Sequence, residues 1–219
     1  IDPKEAQKKL NLPRNPRDYT SIAVTTDDSN DEIVYASSMG DGVIQYKNGT
    51  PVQSYNEKNA FKETAGGYGS GYCYIDGLAF DKNGNLWMTS SEVNHAVLVL
   101  DKAGAWHRLD IEQLRGVYTI NDILITSTND KWIYVPRNTP KLVMIPNSES
   151  LDEVSSYEFT TLIDTDGKEL TPSNYTCVAE DKDGYIWVGT NRGAVYFTKP
   201  RISSAEDKAA TRCTRVKYT

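Results

Sequence analysis

Asn174-Tyr-Thr-Cys-Val-Ala-Glu-Asp-Lys-Asp-Gly-Tyr-Ile-Trp-Val-Gly-Thr-Asn-Arg-Gly-Ala-Val-Tyr-Phe197 reads as three short strands joined by two tight connections. Tyr175 to Ala179 is rich in β-formers. Asp181-Lys-Asp-Gly184 follows as a hairpin turn, with Gly184 free to take φ > 0. Tyr185 to Gly189 is a second strand, Asn191-Arg-Gly193 turns the chain again, and Ala194 to Phe197 is a third. Ile75-Asp-Gly-Leu-Ala-Phe-Asp-Lys-Asn-Gly-Asn-Leu-Trp-Met-Thr89 repeats this module, with Trp87 in the place of Trp187.

Two looser copies complete the set. Ile120-Asn-Asp-Ile-Leu-Ile125 leads through Asn129-Asp130 to Lys131-Trp-Ile-Tyr-Val135. Ser21-Ile-Ala-Val24 leads to Ile33-Val-Tyr-Ala-Ser37 and Gly40-Asp-Gly-Val-Ile-Gln-Tyr46, with Tyr35 where the others carry tryptophan. The four aromatics recur at intervals of roughly 45–55 residues, and a several-stranded repeat of about that length is the signature of a β-propeller. The expectation is therefore an all-β chain: a partial β-propeller of a larger protein, with about four blade repeats visible. Residues 1–18 read as an N-terminal extension, and the blades as 19–56, 74–110, 118–164 and 172–219. The third repeat lacks the turn glycine and runs into Pro136, so its turn is expected to differ in geometry. An unclosed array leaves strand edges and blade faces exposed, which favours self-association.

The chain has 219 residues, enough for a sizeable core, and a formal charge of −6, which disfavours a nucleic-acid partner. No apolar run reaches the length of a membrane span, and no secretory leader is visible at Ile1. Three cysteines leave at least one thiol unpaired within the chain. Cys177 reads as a small buried strand residue. A Cys73–Cys213 bridge is compatible with an oxidising compartment, and so are free thiols.

The residues offer little chemistry beyond the blades. Asp81-Lys-Asn-Gly84 and Asp181-Lys-Asp-Gly184 lack the ligand ladder and distal glutamate of a calcium loop, and hairpin formation accounts for them. They are also out of register with the Asp-box of sialidase-type propellers. His95 and His107 belong to no metal or triad spacing, and no Gly-x-Ser-x-Gly elbow exists. Gly66-Gly-Tyr-Gly-Ser-Gly71 is followed by neither Gly-Lys-Ser/Thr nor a helical pattern and reads as a solvated linker, Tyr68 and Tyr72 included. Trp87, Trp132 and Trp187 read as packing between blades. No catalytic residue, metal or cofactor is predicted.

Repeat symmetry places the loops after the aromatic strands at one end of the array. These are Ser38 to Asp41, Ser90 to Ala96, Arg137 to Lys141 and Asn191 to Gly193. They carry Asp41, His95, Arg137, Asn191 and Arg192, which are the candidate ligand-binding residues. Arg137 and Arg192 suit the carboxylate or phosphate of a surface glycan, through forked hydrogen bonds.

Asp181, Gly184, Trp187, Gly189, Thr190 and Gly193, and in part Asp81, Gly84, Trp87 and Thr89, resemble the two-component-regulator propeller repeat. That repeat occurs in periplasmic sensor domains of hybrid histidine kinases and in the PorZ-like proteins of the type IX secretion system. Gly77 to Trp87, Val97 to Trp106, Gly40 to Gly49 and Pro172-Ser-Asn174 resemble the N-terminal propeller of the PorZ-like family. The resemblance implies a non-enzymatic protein of the periplasm or the outer surface of a Gram-negative bacterium. It implies a sortase partner and surface lipopolysaccharide nearby. The alternative it carries is a periplasmic ligand-sensing segment of a hybrid two-component regulator.

Overall fold

Residues 2–12, 16–65 and 71–216 are described by a computed structural model. The glycine-rich run at 66–70, with Tyr68, lies outside them. The chain divides into two units, Ile1–Tyr118 and Thr119–Thr219.

The first unit opens with helix α1, Pro3–Leu10, whose Asp2 N-cap accepts the Lys4 N–H at 2.9 Å. Blade 1 follows as strands β1 Tyr19–Thr26, β2 Glu32–Gly40, β3 Gly42–Lys47 and β4 Thr50–Tyr55. Blade 2 is β5 Cys73–Phe80, β6 Leu86–Ser90, β7 Val97–Leu100 and β8 Trp106–Leu109. Each strand pairs antiparallel with the next in its blade, and β2 also pairs with the start of β5 through Met39–Tyr74 and Gly40–Cys73. Between the blades the Asn56–Gly71 linker holds one π-helical turn, Glu57–Phe61, where the sequence pattern signals no helix. The turn is anchored because Arg108 donates to the carbonyls of Ala60 and Phe61. Its Phe61 joins Val43, Cys73, Ile75, Met88 and Leu98 in the core shared by the two blades.

The second unit holds blade 3, β9 Ile123–Ile125, β10 Lys131–Val135, β11 Lys141–Ile145 and β12 Tyr157–Phe159. A separate hairpin follows, β13 Leu162–Ile163 with β14 Glu169–Leu170, where the sequence suggests one strand from Tyr157 to Ile163. Blade 4 is β15 Tyr175–Glu180, β16 Tyr185–Thr190, β17 Gly193–Thr198 and β18 Thr214–Arg215, with helix α2, Ala205–Ala210, inserted before the last strand. Trp132, Leu142, Met144 and Phe159 of blade 3 pack on Ile186, Val188, Val195 and Phe197 of blade 4.

The repeat is visible in register. Tyr35, Trp87, Trp132 and Trp187 each sit on the second strand of a blade, opposite Ala23, Ala79, Leu124 and Ala179 of the first. Trp87 and Trp132 are buried, while Trp187 is half-buried and leans on Tyr196, which in turn stacks on Tyr185.

One turn recurs through both units. At Asp27, Asp81, Asp164 and Asp181 the carboxylate accepts the backbone N–H groups two and four residues on. The residue three on takes positive φ: Asn30, Gly84, Gly167 and Gly184. This satisfies the turn's amides without water, as an Asx turn does. In blade 3 the same turn is built from other residues, which corrects the expected difference in geometry. Thr126 Oγ1 accepts the Asp130 N–H at 3.0 Å, and Asn129 takes φ of 68° in place of glycine. In two turns the aspartate does more. The Trp87 indole donates to Asp81 Oδ2 at 2.9 Å and the Trp187 indole to Asp181 Oδ2 at 2.8 Å. The Trp187 N–H and the turn amides hold the Asp181 carboxyl below the usual aspartate range. Asp-x-x-Gly-x-x-Trp is therefore one device, with the acid capping the turn and fixing the ring.

Gly189 has a different reason. A Cβ there would meet Thr176 Oγ1 at 2.4 Å and Cys177 Sγ at 2.7 Å, because β15 bulges between Tyr175 and Cys177. That bulge turns Cys177 outward, so it is exposed rather than buried. All three cysteines are free thiols in this structure, with Cys73 and Cys213 buried.

Candidate functional site

The loops after the second strands share an end within each unit. In the first unit, Met39 and Gly40 pair with Tyr74 and Cys73, and the Ser91 N–H reaches the Tyr74 carbonyl at 3.2 Å. The Asp41 turn and the His95 loop thus neighbour each other. In the second unit, Tyr175 pairs with Thr190 and donates to the Pro136 carbonyl at 3.2 Å, while the Asn191 N–H donates to Asn174 at 3.1 Å. Arg137, Asn191 and Arg192 are thereby carried on one end.

Their side chains play different parts. Asp41 is half-buried and accepts from Ser38 Oγ at 3.4 Å. His95 pairs through Nδ1 with the Glu63 carboxylate, which also accepts the N–H groups of Asn94 at 2.8 Å and His95 at 3.3 Å. That pair ties the inter-blade linker to the β6–β7 loop. Asn191 Oδ1 accepts from the Ser173 and Asn174 N–H groups at 3.0 and 3.2 Å, and its Nδ2 donates to Ser173 Oγ at 2.8 Å. Its amide clamps Pro172-Ser-Asn174 onto the turn. Arg137 and Arg192 stand exposed. Asn174 Oδ1 is buried with no hydrogen-bond partner among the described residues. Of these groups, the two exposed guanidinium forks are the ones chemically suited to an oxyanion.

On the loop-bearing end of blade 2, Ser91 Oγ donates to Asp76 Oδ2 at 2.7 Å, and burial pushes the Asp76 carboxyl up to about 6. The sign of the consequence is fixed. Above about pH 4 the unfolded chain releases this proton while the folded chain keeps it, so stability falls as pH rises towards 6 and then levels. Asp76→Asn is expected to remove that slope and to raise stability at pH 7 by on the order of 1–2 kcal/mol. Denaturation at pH 4 and pH 7 checks it; the variant's advantage must vanish at the lower pH.

Among the described residues, no group of three or more His, Cys, Asp or Glu is placed to hold a metal ion, and no helix is long and apolar enough to cross a membrane.

The capped turn, the indole tie and Gly189 against the β15 bulge all fall in blade 4. Residues 169–192 match the Two component regulator propeller family. Solved propellers extend the likeness to the whole chain. PorZ of Porphyromonas gingivalis, a bacterial surface component of its type IX secretion system, superposes with a TM-score of 0.78 at 18% identity, over 98% of this chain and 29% of that one. The extracellular domain of a hybrid two component system from B. thetaiotaomicron gives 0.60 at 14% identity, over 92% of this chain and 24% of that one. A second such domain from the same organism gives 0.52 at 16%, over 80% and 21%. The chain thus spans less than a third of the length of each propeller protein, and at these identities the shared property is the fold. Comparison with curated proteins found no match.

Proposed function

We propose that this propeller is a non-enzymatic binding and scaffolding module of a cell-surface secretion and attachment complex. Its protein partner is sortase-like, and its loop end contacts surface lipopolysaccharide. The observation that carries the reading is the superposition on PorZ over 98% of the chain, above that on either sensor domain. The periplasm or outer surface of a Gram-negative bacterium is the compartment that goes with it. The second reading, a ligand-sensing propeller segment of a hybrid two-component regulator, rests on the family match at 169–192.

The blade faces support a scaffolding role. On β1, Ile22 and Val24 are 56% and 58% exposed, and on blade 4 the Trp187–Tyr196 pair is only half-covered. Apolar surface of this kind is covered by a further blade, by a partner or by a second copy of the chain.

Arg137 and Arg192 are the residues to test. The double variant Arg137→Ala, Arg192→Ala is expected to keep the wild-type melting temperature and to bind lipopolysaccharide fragments at least about tenfold more weakly, since two charge-assisted contacts are lost. Surface plasmon resonance against lipopolysaccharide fragments and against the sortase measures this. Unchanged affinity for both removes the loop end from consideration. Binding of a small nutrient ligand with neither macromolecule favours the sensor reading.

A further inference from the structure

The geometry points to a second ligand site, at the opposite end of the blades in the second unit, for a small organic anion bearing a carboxylate or phosphate. A cleft of about 310 Å³ opens between the Thr126–Asp130 turn of blade 3 and the Asp181–Gly184 turn of blade 4, and Lys199, Pro200 and Arg201 close one side. These turns lie at the far ends of β10 and β16 from Arg137 and Arg192, so this site is independent of the function proposed above.

The donors and acceptors lining the cleft are unequally engaged. Glu180 accepts the N–H and the Oγ–H of Ser127, one on each carboxylate oxygen, at 2.5 Å. Asp130 accepts from Thr128 Oγ1 at 2.6 Å and from the Asn147 N–H at 2.9 Å. Asp183 is the remaining acid. On the other side stand Lys182, Lys199 and Arg201, all exposed, with no side-chain hydrogen bond or ion pair among the described residues. The lining's formal charges cancel, so its overall field selects nothing. Selection comes from which groups are still available, and those are mainly cationic donors, which an oxyanion matches.

Backbone geometry adds a second argument. Lys199 holds φ of 43°, a left-handed conformation that costs a non-glycine residue energy. That kink lays the lysine stem along the Asp181 turn, where a Cβ at Gly184 would touch its Cγ and Cε at 3.7 Å. Ile186, Pro200 and the edge of Trp132 supply an apolar wall. The volume is at the lower limit of small-molecule pockets, about 300 Å³, so the fitting ligand has one sugar ring or the size of a short organic acid.

Isothermal titration of the full chain with glucose 6-phosphate, glucuronate, inorganic phosphate and neutral glucose tests this. One or both organic anions are expected to bind, and which of them does so assigns phosphate or carboxylate. Glucose is expected not to bind, and inorganic phosphate to bind more weakly for lack of contact with the wall. The triple variant Lys182→Gln, Lys199→Gln, Arg201→Gln is expected to weaken binding at least about tenfold. Amide shift changes in the wild-type chain at Thr128, Gly184 and Ile186 give a readout that does not depend on how any variant folds. Failure of both organic anions to bind at millimolar concentration overturns the proposal. So does full affinity in the triple variant, or shift changes confined to the loop end.

Discussion

Replacing Trp132 with alanine is expected to lower the stability of the second unit by about 3–5 kcal/mol, the usual cost of deleting a fully buried tryptophan. The ring is 1% exposed and contacts two phenylalanines, Phe159 in its own blade with centroids 5.9 Å apart and Phe197 of blade 4 at 5.6 Å. Its removal leaves a void at the seam of two sheets, and neither sheet can close it without breaking strand register. Trp187→Ala supplies the comparison within one experiment. That ring occupies the equivalent blade position but is half-buried, so its loss costs less. Urea titration of the three proteins gives the order. Equal losses for Trp132 and Trp187 would show that the seam between blades 3 and 4 does not carry the unit's stability.

Asp81→Ala is the second large effect, at roughly 2–4 kcal/mol, because it takes the carboxylate from the buried Trp87 indole and from three part-buried turn donors at once. The carboxylate accepts from the Asn83 and Asn85 N–H groups, from Asn85 Nδ2 and from the Trp87 indole, each at 2.9 Å, and the residue is 7% exposed. Asp81→Asn keeps an oxygen for the turn amides but turns a donor towards the indole, so a smaller loss is expected. The shift in urea midpoint, read with the indole fluorescence band, separates the two variants. A midpoint for Asp81→Ala within error of wild type would show that water replaces the carboxylate.

How much of this was legible beforehand follows from which interactions are local. Asp81, Gly84 and Trp87 lie within seven residues, so their spacing showed the hairpin and the blade. The aspartate's second bond, to the indole, was masked because turn chemistry alone already explained an acid there. Blade 3 reads as irregular for the converse reason: Thr126 and Asn129 perform the same capping and left-handed turn with different residues. At the loop end, Arg137 and Arg192 were picked out as polar residues that packing does not require. Asn191 looked the same in sequence, yet its amide is occupied by Ser173 and Asn174, partners 17 and 18 residues away. Glu63, which holds His95, lies in a linker with no repeat to mark it. The cleft is invisible in sequence because Thr126, Lys182 and Arg201 meet only once two blades pack.

The pairing order of the strands bears on how the chain reaches this state. Apart from the β2–β5 link, every ladder joins a strand to its immediate successor in sequence. Short loops close at little entropic cost, so each blade is assembled from hairpins, the fastest β-elements to form. Non-local search is confined to burying one blade against the next. Within each unit, a nascent chain can therefore complete its blades in the order of synthesis, the first finished sheet offering the apolar face on which the second condenses. Blade 4 is the exception, since β18 arrives only after α2 has folded between it and β17. With only the pairs Val195–Arg215 and Tyr196–Thr214 in its ladder, β18 opens readily.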